Sequence, residues 1–404
     1  VADGLAIASL LLSACALAAS VYIAGFAVYG VSLRREPLED AALKLAPSFL
    51  VLIPAHNEAA GIGATIQSVL NVRYPREQLH IVTIADNCTD GTATIARELG
   101  AETWERKDAA NPGKGQALQW ALDQVSPDSF DCVAIIDADT QVDSEFFNQM
   151  ANFATADQRH NLAAVYQGRY DFAQTAKNKA KWFESFTLAS KAAENSFVYR
   201  PRSAAGLVNL LQGNGFCISR AALLRVPFRA GSVVEDAEYA VHLAIAGVPV
   251  RYVEHARVFA RMTESIGDAS PQRVRWASGI FSLIGGSAPE LLRAGIRRRS
   301  WRMAEATAML LLTSRVLLVS LTLAAFIFAT VLLPRHIAHI SLGLAITAIL
   351  LQAFYMVLMF RRAADHPFPM ADLAWAPFYF IFVSLMQALA LAGFRRKRWS
   401  RTVR

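Results

Sequence analysis

Four stretches of the chain carry no charged residue: Leu5 to Leu33, Val316 to Pro334, Ile337 to Phe360 and Leu373 to Phe394. Each reaches the roughly 18 to 20 residues that a helix needs to cross a hydrocarbon core. Between the first and second, from Ser48 to about Gly247, the pattern changes. Short apolar runs at Phe49 to Ile53, His80 to Ala85 and Asp131 to Ile136 read as strands. They alternate with helical stretches around Ile62 to Val72, Thr92 to Leu99 and Gly115 to Val125. Continuously apolar strands separated by helices predict a parallel sheet covered on both faces.

The chain therefore divides into an N-terminal membrane anchor over 1–34, a catalytic-type α/β domain over 45–278, an amphipathic segment over 279–304, a C-terminal membrane region over 305–394 and a basic tail over 395–404. The first apolar run is far longer than the roughly 7 to 15 residues of a signal-peptide core, and it is read as retained. Gly279 to Trp301 mixes Phe281, Leu283, Leu291 and Ile296 with basic residues, which suits a helix at the membrane surface. An ordinary surface helix with a linker is the alternative.

Of the 404 residues, 54% are hydrophobic and only 18% charged, below the quarter usual for a soluble domain. The net charge of +7 could suggest nucleic acid. However, the basic residues border the apolar runs, at Arg34 and Arg35, Arg297 to Arg299, Arg361 and Arg362, and Arg395 to Arg398. That placement favours a membrane surface, and no basic groove interleaved with aromatics is present. Arg34 and Arg35 put the α/β domain on the cytoplasmic side of an inner membrane. Three further full crossings would then expose the basic tail outside, against the same rule. Either one C-terminal run is re-entrant or interfacial, with Leu373 onward (Pro377, Ser384, Gln387) the favoured one, or the rule fails here. The four cysteines form no CxxC or zinc spacing and read as thiols in a reducing compartment.

In parallel α/β sheets, ligands bind beyond the carboxyl ends of the strands. The three strands end in Pro54-Ala55-His56-Asn57-Glu58, in Asp86-Asn87-Cys88-Thr89-Asp90 and in Asp137-Ala138-Asp139. Asp137 and Asp139 are hard oxygen ligands suited to Mg²⁺ or Mn²⁺ bridging phosphates. No dinucleotide fingerprint and no P-loop occurs. Glu235-Asp236 opens a helical stretch, where capping is the plainer reading. Gln272-Arg273-Val274-Arg275-Trp276 offers guanidiniums for a diphosphate and an indole wall.

Taken in order, Pro-x-x-Asn-Glu, Asp-Asn-x-Thr-Asp, Gly113-Lys114-Gly115, Asp-x-Asp, Glu-Asp and Gln-x-x-Arg-Trp resemble the family 2 glycosyltransferases. The likeness is to their membrane-embedded branch, the cellulose, chitin-oligosaccharide, hyaluronan and poly-N-acetylglucosamine synthases. It implies a GT-A fold, an α/β domain with a mostly parallel sheet, and transmembrane helices at both ends. By that resemblance, Pro54, Asn57, Glu58, Asp86 and Lys114 would meet the donor nucleotide. Asp137 would lie by the nucleotide-sugar, and Asp139 with Asp137 would hold Mg²⁺ or Mn²⁺. Asp236 would be the general base beside Glu235, and Gln272, Arg275 and Trp276 would close over the diphosphate. Gln212, Gly213 and Asn214, with Trp276, would meet the acceptor. Trp399 to Arg404 is similar to a Trp- and Arg-bearing motif of some synthases.

Two departures stand out. Val234 occupies a position where many synthases have Thr, and the C-terminal membrane part is short for a complete export channel. The resemblance implies metal-dependent, inverting transfer from a nucleotide-sugar, most simply a UDP-sugar, to a growing polysaccharide or oligosaccharide within membrane lipid. One transfer to a lipid acceptor is the close alternative. A non-catalytic nucleotide-binding scaffold is the alternative of another class.

Overall fold

The computed structural model describes residues 2–34, 46–173, 181–231, 234–263, 265–312, 314–331, 336–365 and 367–393. The basic tail, including Trp399 to Arg404, lies outside these residues, as does Arg35.

Helix α1 (Ala2–Ser32) leads into a Rossmann-like half built from β1 (Phe49–Ala55), α2 (Ile62–Leu70), β2 (Leu79–Asp86), α3 (Thr92–Glu98), β3 (Glu102–Arg106), α4 (Lys114–Leu122) and β4 (Cys132–Ile135). These four strands run parallel in the order β3-β2-β1-β4. The side-chain period of two divides β1 between two cores. Leu50 and Leu52 face one layer with Val82, Ile84 and Ile135; Phe49, Val51 and Ile53 face the other with Ile62, Phe147 and Met150. Each such fully buried side chain contributes about 1.5–3 kcal/mol, so the strands foreseen from their unbroken apolar runs are those covered on both faces.

The second half was not foreseen as strands. It comprises β5 (Thr140–Val142), α5 (Phe146–Arg159), β6 (Val165–Ala173), α6 (Lys181–Glu194), a π-helical turn at Asn195–Tyr199, α7 (Arg200–Ala204), β7 (Phe216–Ser219), α8 (Arg220–Arg225), α9 (Glu235–Ala246) and β8 (Val250–Arg261). The eight-stranded sheet continues β4-β7-β6-β8-β5. Here β7 and β5 run antiparallel to their neighbours, while β6 and β8 are parallel. Strand β8, with burial alternating along much of its length, is interrupted by Arg251, Glu254, His255 and Arg257 and lacks the unbroken apolar run.

Helix α10 (Ile266–Arg297) is a single element of 32 residues that crosses the boundary placed at 278/279. It packs on α9 so closely that a β-carbon at Gly279 would lie 2.2 Å from Val234 Cγ1. Then follow α11 (Trp301–Leu311), α12 (Arg315–Val331), α13 (His336–Arg362), a 3₁₀ turn at Met370–Trp375 and α14 (Ala376–Leu391). Gly4–Ser32, Ala338–Arg362 and Met370–Leu391 are long and apolar enough to cross a membrane, and α11 with α12 would make a fourth span if taken together.

Helices α1 and α13 pack through small residues. Ser9 and Ser13 both hydrogen-bond Ser341, at 2.7 and 2.8 Å. The domain is pinned to α1 and α11 by Arg202, whose side chain is 1% exposed. Its guanidinium donates to both Glu305 carboxylate oxygens (2.5 and 2.8 Å), to Tyr22 Oη (2.6 Å) and to the Val208 carbonyl.

Candidate active site

A cavity of about 1440 Å³ opens beyond the carboxyl ends of β1 and β4. Pro54 and Glu58, at the end of β1, line one wall. Asn57 between them adopts φ 55°, and its Oδ1 accepts the Thr89 amide proton at 2.7 Å. It braces the first loop against the second and does not face the cavity. Asp86 closes β2 and is also set back, 3% exposed. Arg106 Nη1 bonds it at 2.6 Å, Asn87 Nδ2 at 3.0 Å and the Gly113 amide at 3.3 Å. Asp86 thereby holds the turn that presents Lys114. Arg106 comes from edge strand β3, whose charged pattern concealed it.

Lys114, the first residue of α4, reaches across the cavity. Its ammonium donates to Asp137 Oδ1 and to the Gly213 carbonyl, joining the β4 mouth to the loop before β7. Asn214 is buried behind that loop. Its Oδ1 accepts the Asp137 amide proton at 3.0 Å, and its Nδ2 donates to Thr140 Oγ1 at 2.8 Å. Gln212 lines the cavity with its side chain engaged by Lys191 Nζ (2.5 Å) and by Asn195 Oδ1 (3.2 Å). Gln167 of β6 anchors the same loop, accepting from the Gln212 amide at 2.9 Å and donating to the Asn214 carbonyl at 2.9 Å.

Glu235 and Asp236 form the first turn of α9, and no side-chain cap is made there by Val234. Both line the cavity. Burial, and then the Asp236 charge, push the Glu235 carboxyl up to about 7, against the opposing pull of Lys114. Burial likewise raises Asp236, again offset by Lys114. Two glycines make room for the pair. A β-carbon at Gly115 would lie 2.9 Å from Glu235 Cγ, and one at Gly213, where φ is +80°, would lie 2.9 Å from Asp236 Oδ2.

Gln272, Arg275 and Trp276 share one face of α10, at the three- and four-residue spacing that aligns helical side chains. All three line the cavity. Burial lowers the Arg275 pKa, and the facing Asp137 and Glu235 oppose that shift. The Arg273 guanidinium lies 5.5 Å from the Trp276 ring centroid. Among the lining residues that carry no motif in the sequence are Tyr170, Lys191, whose ammonium lies 4.1 Å from the Tyr170 ring, and Glu194, which Lys191 bonds at 2.8 Å. Their only signal is a polar or aromatic residue interrupting an otherwise amphipathic element.

Residues 46–279 match the family described as glycosyltransferase like family 2. The chain belongs to that family. Poly-beta-1,6-N-acetyl-D-glucosamine synthase of Staphylococcus epidermidis is 27% identical over 232 residues, covering 56% of this chain and 53% of the relative. The synthase of the same name from Staphylococcus aureus (strain COL) is 26% identical over 238 residues, with the same coverage. The chain thus spans about half the length of the curated relatives it matches. Among solved structures, the mannosyltransferase PcManGT from Pyrobaculum calidifontis, in complex with GDP-Man and Mn²⁺, superposes with a TM-score of 0.54 at 17% identity, covering 96% of this chain and 99% of that one. That likeness is one of fold, and the fold is GT-A.

Among the described residues, no group of three or more His, Cys, Asp or Glu could hold a metal. In this family 2 domain the carboxylates at the β4 mouth are two, and Asp137 is engaged by Lys114. Such a donor set fits an ion that keeps one or two carboxylates and takes the rest of its shell from diphosphate and water, the habit of Mg²⁺.

Proposed function

We propose that this chain is an inverting, metal-dependent glycosyltransferase of the inner membrane, its catalytic domain cytoplasmic. It moves a sugar from a nucleotide-sugar, with UDP as the leaving nucleotide, to an acceptor hydroxyl in the cavity. The observation that carries this reading is the convergence of Asp236, Lys114, Asp139 and Arg275 on one cavity.

The acceptor hydroxyl loses its proton to the Asp236 carboxylate as its oxygen attacks the anomeric carbon. The bond from that carbon to the diphosphate breaks on the opposite face, inverting the centre, and the nucleoside diphosphate departs. Arg275 and Lys114 supply positive charge toward the leaving group. A divalent ion held by Asp139, with Asp137, would neutralise the diphosphate. Burial that raises the Asp236 pKa makes it a stronger base for the proton it must take. Trp276 gives the sugar end an apolar wall.

The acceptor is a growing saccharide, as the staphylococcal relatives' names would carry over, or a membrane lipid. The test is nucleotide release by the purified protein with UDP- and GDP-sugars and Mg²⁺ or Mn²⁺. Turnover that Asp236→Asn abolishes while UDP binding persists supports the reading. Equal turnover by Asp236→Asn overturns the assignment of the base.

A further inference from the structure

The cavity does not stop at the catalytic residues. It continues into the membrane helices, where Ile23, Leu318, Val319, Leu323, Leu351 and Met356 line it. Its volume of about 1440 Å³ exceeds the roughly 300–1,000 Å³ of a typical small-ligand pocket. There is thus room for more than a nucleotide-sugar.

The far end of this extension is shut. Gln352 Nε2 of α13 donates to Ser20 Oγ of α1 at 2.9 Å and to Thr322 Oγ1 of α12 at 2.8 Å. The lining ends at this level, with Ser20, Leu323 and Gln352. Beyond it the three helices meet through small buried residues: Ala16, Ser13 and Ser9 of α1, Ala325 and Ala329 of α12, and Ala348, Ala345 and Ser341 of α13. Small residues let helix backbones approach closely, and the Ser9, Ser13 and Ser341 hydroxyls are bonded to one another across the contact. A hydrated sugar chain has no passage there. Between α1, α12 and α13 the extension is therefore a blind cleft with mostly apolar walls, and α14 flanks it with Tyr379, Phe380 and Val383.

Among the described residues of α1, α12, α13 and α14, one charged group lines it. Arg315, the first residue of α12, lines the cavity half-buried, with its guanidinium 5.1 Å from the Tyr355 ring centroid. Among the described residues no carboxylate pairs with it. The nearby acid Glu194 is bonded by Lys191. A half-buried guanidinium without a carboxylate partner, set among apolar walls, suits an anionic group, phosphate above all.

Resting on the glycosyltransferase reading above, we propose that the acceptor is an anionic, hydroxyl-bearing membrane lipid. Its acyl part fills the blind cleft, its phosphate meets Arg315, and its hydroxyl is presented to Asp236. One sugar is added, and the product leaves as a glycolipid and is not threaded through the bundle. A phosphate monoester acceptor fits less well, since it has no hydroxyl proton for Asp236 to take.

The test uses the full chain in nanodiscs of phosphatidylcholine alone, or with added phosphatidylglycerol, phosphatidylinositol or the uncharged diacylglycerol. Each is supplied with the radiolabelled nucleotide-sugar that binds. The expected result is label in the organic phase only with a phosphate-bearing hydroxyl lipid, at the mass of one added sugar. Arg315→Gln should lower that transfer about tenfold or more, the equivalent of one charge-assisted hydrogen bond, with part regained in Arg315→Lys. Val319→Trp, which fills the cleft, should do the same; titration with UDP shows that each variant is folded.

A water-soluble ladder of products, equal transfer to diacylglycerol, or no lipid product despite donor binding would each overturn the lipid proposal and leave the glycosyltransferase reading standing. Failure to bind any nucleotide-sugar would overturn both.

Discussion

The Asp236 carboxylate rests against the α-carbon of Gly213, so that a β-carbon there would lie 2.9 Å from Oδ2. The backbone at Gly213 has φ +80°, and its carbonyl accepts from Lys114. The loop before β7 therefore positions the proposed base and the Lys114 cation through one glycine.

Gly213→Ala should push Asp236 away and strain the loop. A displacement of about 1 Å at a reacting group costs on the order of 10²-fold in rate. We expect kcat to fall by about that factor with UDP affinity nearly unchanged, read from initial rates and nucleotide titration. An equal loss of UDP binding would point to collapse of the Lys114 bridge.

Glu235 predicts a pH dependence of stability. Its carboxyl titrates near 4.5 when unfolded and at about 7 when folded. Between those values the folded state binds more protons, so unfolding free energy falls as pH rises from about 4.5 to about 7 and levels off above. Glu235→Gln should flatten that slope and raise the melting temperature at pH 8. Asp236, also raised, leaves a residual slope in the variant. Thermal unfolding in detergent at several pH values measures both.

Arg202 should matter to stability more than any surface charge. It is 1% exposed and forks onto Glu305. Arg202→Ala leaves Glu305 without its cation and should cost about 3–5 kcal/mol. The double variant Arg202→Met with Glu305→Leu should recover much of it. Denaturation of the wild type, Arg202→Met, Glu305→Leu and the double variant in one detergent gives the coupling directly.

The proposed metal dependence, with Asp139 and Asp137 as the donors, makes a direct prediction. Chelation should stop turnover, and Mn²⁺ or Mg²⁺ should restore it. Asp139→Asn should raise the metal concentration needed for half-maximal rate, whereas Asn57→Ala, which removes a loop brace, should lower thermal stability and leave that concentration unchanged.

Much of this protein is legible in its sequence because the relevant signals are local. Phe49 to Ile53 and Ala134 to Ile136 are apolar without interruption, since strands covered on both faces need no polar positions. The charge-free runs that form α1 and α13 follow from the same economy in hydrocarbon. The ordered motifs at Glu58, Lys114, Asp139, Asp236 and Trp276 are local in sequence: the first four lie where strands end or helices begin, and Trp276 shares a helical turn with Gln272 and Arg275 inside α10. Other features depend on residues far apart in sequence. Asp86 and Asn57 read as donor contacts by motif, but their bonds to Arg106 and Thr89 come from residues that no spacing indicates. The mixed half of the sheet is hidden because strands such as β8 are interrupted by polar residues, and their pairing is set by tertiary register. The closed end of the cleft needs Ser20, Thr322 and Gln352 from three helices to meet, and only packing decides which polar side chains within a membrane face one another.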